Sequence, residues 1–205
     1  MRFWRRYRNK VLAISLSALA TLGYAASFLV YGFCFGWQSL LSSPISLINI
    51  FITLVVYLMV VVTNIQNDNR AFGACSMFVF LIAWRMALAF LPRGGSLWSW
   101  IVSGSFLGGV AITTVLLYGG AAVLGVFFYV FLFRYRLGRV GFRPLRGLGW
   151  GFAASLAAVS AAEITLYLLT FGATPAAVAY ALLSYLPDVA MASAVMFTLE
   201  RLRRD

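Results

Sequence analysis

Apolar residues run along this chain in long blocks, and polar residues are confined to the short breaks between them. The blocks cover about 11–36, 45–63, 73–91, 99–133, 149–171 and 176–199. The breaks are Gln38–Pro44, Asn64–Arg70 (NIQNDNR), Pro92–Ser96 (PRGGS), Arg134–Arg146 (RYRLGRVGFRPLR) and Gly172–Pro175 (GATP). A hydrocarbon core about 30 Å thick is crossed by roughly 20 apolar residues in a helix. The blocks match that length, so the expected fold is all-α. It is a single polytopic transmembrane domain over residues 1–205, with about six helices in a lipid bilayer.

The fourth block complicates the count. Its 35 residues would make a helix of about 52 Å at 1.5 Å per residue, too long for one upright span. Either two short helices meet at Gly119-Gly120, or SLWSWIVSG lies at the outer interface with Trp98 and Trp100 before one span begins near Gly108. Charge separates the two. Short loops rich in Lys and Arg stay on the cytoplasmic side. Arg2, Arg5, Arg6, Arg8 and Lys10 begin the chain; Arg134, Arg136, Arg139, Arg143 and Arg146 fill one break; Arg201, Arg203 and Arg204 end it. Six spans put all three groups and Arg70 on one side and leave only Arg93 on the other. Seven spans would split them. The six-span arrangement in a cytoplasmic (inner) membrane, both termini inside, is therefore preferred.

Composition supports this placement and removes other classes. The chain of 205 residues is 63% hydrophobic and 10% charged, with a formal charge of +11. A soluble domain of this size leaves too much surface in water to hide such a composition. The excess of basic residues follows the breaks, so it reads as topology and not as nucleic-acid binding. The basic leader and Ala18-Leu19-Ala20 imitate a signal peptide, but the apolar run continues well past a 7–15-residue signal core; a first membrane helix is expected. Cys34 and Cys75 form no CxxC and are expected as buried, small apolar residues.

Catalytic parts are sparse. There is no histidine, hence no imidazole for a haem, a zinc ion or a serine triad. No GKS or GKT phosphate-loop ending occurs. Neither an enzyme, a metal nor a cofactor is expected. What remains is charge inside the spans: Arg85 in WRMALAF, Glu163 in SAAEITLY and Asp188 in YLPDVAM. A charge at mid-bilayer costs at least about 2.5–3.5 kcal/mol and so faces a partner or a cavity. All three fall at similar depth. They are candidates for a substrate or ion site, with Trp84, Tyr167, Tyr180 and Tyr185 as neighbouring aromatics for a flat organic ligand, or for a proton relay through a neutral Glu163; an ion pair of Arg85 with Glu163 or Asp188 that only sets helix register is the structural alternative. Pro187 predicts a kink or a helix start beside Asp188. Small residues at every fourth position, Ala13, Ser17, Thr21 and Ala25 in the first helix and Ala153, Ala157, Ala161 and Thr165 in the fifth, suit close helix contact. That contact is either inside the bundle or with a partner protein.

The stretch GATPAAVAYALLSYLPDVAMASAVMFTLERLRR resembles the end of a substrate-binding (S) component of an energy-coupling-factor vitamin transporter, most like the biotin type. The resemblance covers about 60 residues. It implies a small, vitamin-like ligand held in the helix bundle, with Asp188 on the ligand side. It also implies docking of the first-helix row on a transmembrane coupling protein, with ATPases supplying energy. Met191 and Ala192 stand where such a helix often has a lysine. Separately, LINIFITLVVYLMVVVTNIQNDNRA is similar to a segment of low-affinity iron permease-type proteins, which implies a small-ion permease. The expected function is a transporter component; the alternatives are a non-transporting membrane scaffold and that permease.

Overall fold

A computed structural model of the chain describes residues 2–37, 44–66, 70–88 and 106–202. These residues form α1 (Arg2–Phe35), α2 (Pro44–Ile65), α3 (Ala71–Leu88), α4 (Phe106–Arg136), α5 (Phe142–Phe171) and α6 (Pro175–Arg201). Five of the six are long and apolar enough to cross a membrane; α3 contributes a shorter apolar stretch, Ala71–Met86. Large apolar side chains point outward from every helix described, among them Leu22, Phe51, Phe80, Leu116, Phe171 and Leu182. Such a surface is stable only against lipid, and the chain is a multi-pass membrane protein.

The helices extend past the apolar blocks at both ends. The basic leader continues into α1, and Phe142–Leu148 is already α5, so the expected Arg134–Arg146 loop shrinks to Leu137–Gly141. Pro144 is accommodated because the first-turn N–H groups of a helix have no partner within it. The link closes where Gly138, at φ 72°, donates to the Tyr135 carbonyl and Arg139 donates to that of Arg134. This pairing caps the last carbonyls of α4 and needs the left-handed backbone that glycine adopts freely. At the other end Gly172 caps α5, and the Thr174 hydroxyl accepts the Ala177 N–H to start α6, with Pro175 in its first turn. The α4 helix is a single piece: Gly119 and Gly120 lie inside it without a break. The proposed interfacial stretch with Trp98 and Trp100 lies outside the described residues.

Pro187 neither starts nor ends a helix, because α6 is continuous through it. It removes the donor to the Leu183 carbonyl four residues earlier; two residues on, Ser160 of α5 donates to the Tyr185 carbonyl at 2.9 Å and ties α5 to α6. Elsewhere Thr21, Thr53, Thr63, Ser76 and Thr114 turn their hydroxyls back on carbonyls one turn earlier, which hides them from the bilayer.

The core is built around α6, whose widest interface is with α1, followed by α5; α4 fills the gap between α3 and α5. Of the first-helix row, Ala13, Ser17 and Thr21 are buried, and Ala25 is half-buried. The row expected to dock a partner is thus turned into the bundle, where small side chains let α1 and α6 approach closely. In the fifth-helix row only Ala153 is buried; Ala157, Ala161 and Thr165 are exposed. Cys75 is buried, whereas Cys34 is exposed rather than packed.

Polar contacts show which helix ends meet. At the basic end Asn9 of α1 donates to Glu200 of α6, which also pairs with Arg146 of α5 at 3.0 Å. There too the Thr198 hydroxyl donates to the Asn64 side chain at 3.0 Å and Arg201 donates to the Asn64 carbonyl at 3.2 Å, joining α2 to α6. Asn64→Ala removes one buried interhelical bond while Thr198 keeps its own to Ala194. The expected loss is about 1 kcal/mol, read as a lower midpoint in thermal unfolding of the purified protein.

Candidate functional site

Between its two ends the bundle holds a polar network to which five helices contribute hydrogen-bonding groups and the sixth a ring. Asp188 of α6, 7% exposed, is its centre. Its Oδ1 accepts a hydrogen bond from the Tyr57 hydroxyl of α2, and Nη1 of Arg85 on α3 lies 3.4 Å from both Oδ1 and Oδ2. Tyr24 of α1 packs on Tyr57 with ring centroids 5.5 Å apart.

The second carboxylate sits beside this pair. Glu163 of α5 accepts a hydrogen bond from the Tyr118 hydroxyl of α4. Ser160 of α5 lies level with Tyr185 of the antiparallel α6, so Glu163 sits about one turn to one side of that level and Asp188 about one turn to the other. Of the two ion pairs that the sequence allows, the close one is Arg85–Asp188. Glu163 acts on Arg85 at longer range.

Toward the end opposite the basic loops the network continues as aromatic rings. Tyr24 meets Phe28 edge-on at 5.0 Å; Tyr31 of α1 lies 5.3 Å from Tyr180 of α6; Tyr180 lies 5.3 Å from Tyr167 of α5, which meets Phe171 at 4.7 Å. Tyr185 is half-buried, and its carbonyl accepts from Ser160, which lies one turn before Glu163 on α5. Tyr185 therefore lies on the stretch of α6 that faces this part of α5. Trp84 does not: it is 54% exposed on α3, since one residue from Arg85 in a helix is a turn of about 100° away, on the lipid side.

The structure thus brings Arg85, Glu163, Asp188 and Tyr185 together, leaves Trp84 outside, and adds Tyr24, Tyr57 and Tyr118. A signal for the last two was present. Each is a lone tyrosine in an aliphatic run, LVVYLMVVV and VLLYGGAAV, and a tyrosine hydroxyl in a membrane needs a hydrogen-bond partner. Among the described residues no group of three or more His, Cys, Asp or Glu gathers.

These features define a helical multi-pass membrane protein with a charged, tyrosine-rich centre. Compared with known proteins, the chain matches no family model, no curated protein and no solved structure.

Proposed function

We propose that the chain is a membrane transporter component that binds a small, vitamin-like molecule within the bundle and relies on partner subunits for energy. The observation that carries the reading is the presence of polar side chains from all six helices, Tyr24, Tyr57, Arg85, Tyr118, Glu163 and Asp188, in two adjoining clusters in the middle of the bundle. One ion pair suffices to lock two helices. A second carboxylate held by a separate tyrosine adds burial cost that packing does not require, and substrate recognition accounts for it. The tyrosines above it offer a route from the end with few basic residues, which the charge distribution makes the outer one. A cytoplasmic membrane location follows from the same distribution.

The resemblance of the C-terminal third to S components agrees with this reading and points to a transmembrane coupling protein and ATPases as partners. With Ala13, Ser17 and Thr21 buried, the exposed small-residue row for such docking is Ala157, Ala161 and Thr165 on α5. The competing reading is a non-transporting scaffold, favoured by the self-sufficiency of the Arg85–Asp188 pair.

Glu163→Ala separates the two. Cells expressing the chain with its co-purifying partners are expected to take up a labelled compound from a vitamin and amine panel. The variant, equally abundant and equally stable, should lose at least tenfold of that uptake. Native mass spectrometry should show the same compound on the wild-type protein and not on the variant. Undiminished uptake by Glu163→Ala, or no uptake of any compound by well-folded wild type, sinks the transporter reading.

A further inference from the structure

We propose that Arg201 forms a site for an oxyanion of the phosphate class at the basic end of the bundle, held by the Nε–Nη2 edge of its guanidinium. Arg201 lies about 20 Å along α6 from Asp188, so this site is separate from the central network. It holds whether or not the chain transports.

The first argument is an unmatched charge. Arg201 is 8% exposed, and a guanidinium keeps its proton in proteins. Its Nη1 donates to the Asn64 carbonyl at 3.2 Å, while Nε and Nη2 are buried with no acceptor. That carbonyl, in the last turn of α2, carries only the fractional charge of a helix C-terminus. The carboxylates among the described residues are engaged elsewhere. Asp188 holds Arg85 and Tyr57, Glu163 takes Tyr118, and Glu200 takes Asn9 and Arg146. Glu200 is also turned away, since adjacent residues on a helix project about 100° apart; it meets α1 and α5, and Arg201 meets α2. Asp68 and Asp205 lie outside the described residues. A buried cation without a counter-charge is costly, and a bound anion removes that cost.

The two idle donors define the shape of the anion. Nε–H and one Nη2–H point the same way from a single edge of the planar group. That edge meets two oxygens of one carboxylate or phosphate in parallel, charge-assisted hydrogen bonds. The bond from Nη1 to Asn64 leaves it intact. A buried water would accept from these donors without supplying charge.

Position selects the phosphate class. The α6 helix has 27 residues, about 40 Å at 1.5 Å each, against a hydrocarbon core about 30 Å thick. Arg201 is its last residue and Asn64 the last but one of α2, so the fork lies at headgroup depth. Arg8, Arg134, Arg136, Arg139 and Arg143 are exposed at the same end, and clustered basic side chains concentrate anions there. Phosphate chemistry has two sources at this depth, a phospholipid headgroup and free phosphate.

The test uses the full chain, delipidated in maltoside micelles and Tris chloride. Inorganic phosphate and phosphatidylglycerol are titrated separately at constant ionic strength, with sodium chloride and diacylglycerol as comparators. Melting temperature should rise saturably with a phosphate source and not with its comparator, and native mass spectrometry should count one anion per chain. A rise with inorganic phosphate assigns the free anion, and a rise with phosphatidylglycerol alone assigns the headgroup; either supports the site. Arg201→Lys keeps the charge, lacks the fork and should weaken binding at least tenfold; Arg201→Gln takes its place if the lysine variant does not fold. Arg143→Gln, on the exposed surface, should stay within about threefold of wild type. Equal shifts with the comparators, or binding undiminished by Arg201→Lys, overturn the proposal. Indifference of the wild type to both phosphate sources overturns it too, and an equal drop in melting temperature for Asp68→Asn and Arg201→Lys then gives the fork to a carboxylate of this chain.

Discussion

Arg85→Met should destabilise the folded bundle by about 3–5 kcal/mol, the cost of leaving one member of a buried ion pair without the other. Asp188 is 7% exposed and, among the described residues, would retain the Tyr57 hydroxyl. Methionine replaces the apolar stem of arginine at nearly equal length, so the loss reports the charge and not a cavity. Arg85→Met combined with Asp188→Leu should recover at least half of it, since removing both charges removes the burial cost as well. Denaturant titration in mixed micelles measures both. A single variant within about 1 kcal/mol of wild type would show that Asp188 does not depend on Arg85.

The second large effect concerns backbone contact. A Cβ on Gly125 of α4 would stand 2.9 Å from the Ala83 Cβ of α3 and 3.0 Å from a ring carbon of Phe152 on α5. Gly125→Leu must push three helices apart. Its cost is expected at the upper end of the about 1–3 kcal/mol typical of overpacking, or beyond it. Leucine is the better helix former by roughly 1 kcal/mol, so any loss is due to packing. Gly120→Leu, five residues earlier with nothing within 4 Å, is the control and should be neutral or slightly stabilising. Melting temperature and the monodisperse fraction after extraction read the difference.

These two glycines show what a linear reading sees and misses. Gly119-Gly120 draws attention in the sequence as a break in an overlong block, yet α4 runs through it. Gly125 has no distinguishing neighbours in sequence and turns out to be the tight crossing. Its role depends on Ala83, 42 positions away, and no local pattern encodes that. The small-residue rows teach the same lesson. Both have the spacing for close contact, but α1 spends its row on α6 while α5 leaves most of its row exposed. Spacing states that a face is smooth; only the neighbours state what lies on it.

The membrane class, the helices and their approximate limits were legible because lipid imposes them locally. Each span must be apolar over a set length and must satisfy its own backbone. The grouping of basic residues added which ends lie together, and contacts joining Asn9, Arg146 and Glu200 agree with it. The charges Arg85, Glu163 and Asp188 stood out for the same reason, since each is costly where it lies. Their partners were not legible. Arg85 reaches Asp188 and Glu163 takes Tyr118 because of helix rotation and neighbour order, which depend on packing among all six helices. Trp84 and Tyr185 both sit near charged residues in sequence, and rotation alone puts the first in lipid and the second at the site. By itself, then, the sequence determined that this protein crosses a membrane and which charges it buries. Which charges are paired, and which tyrosine each carboxylate takes, was decided only when the helices packed.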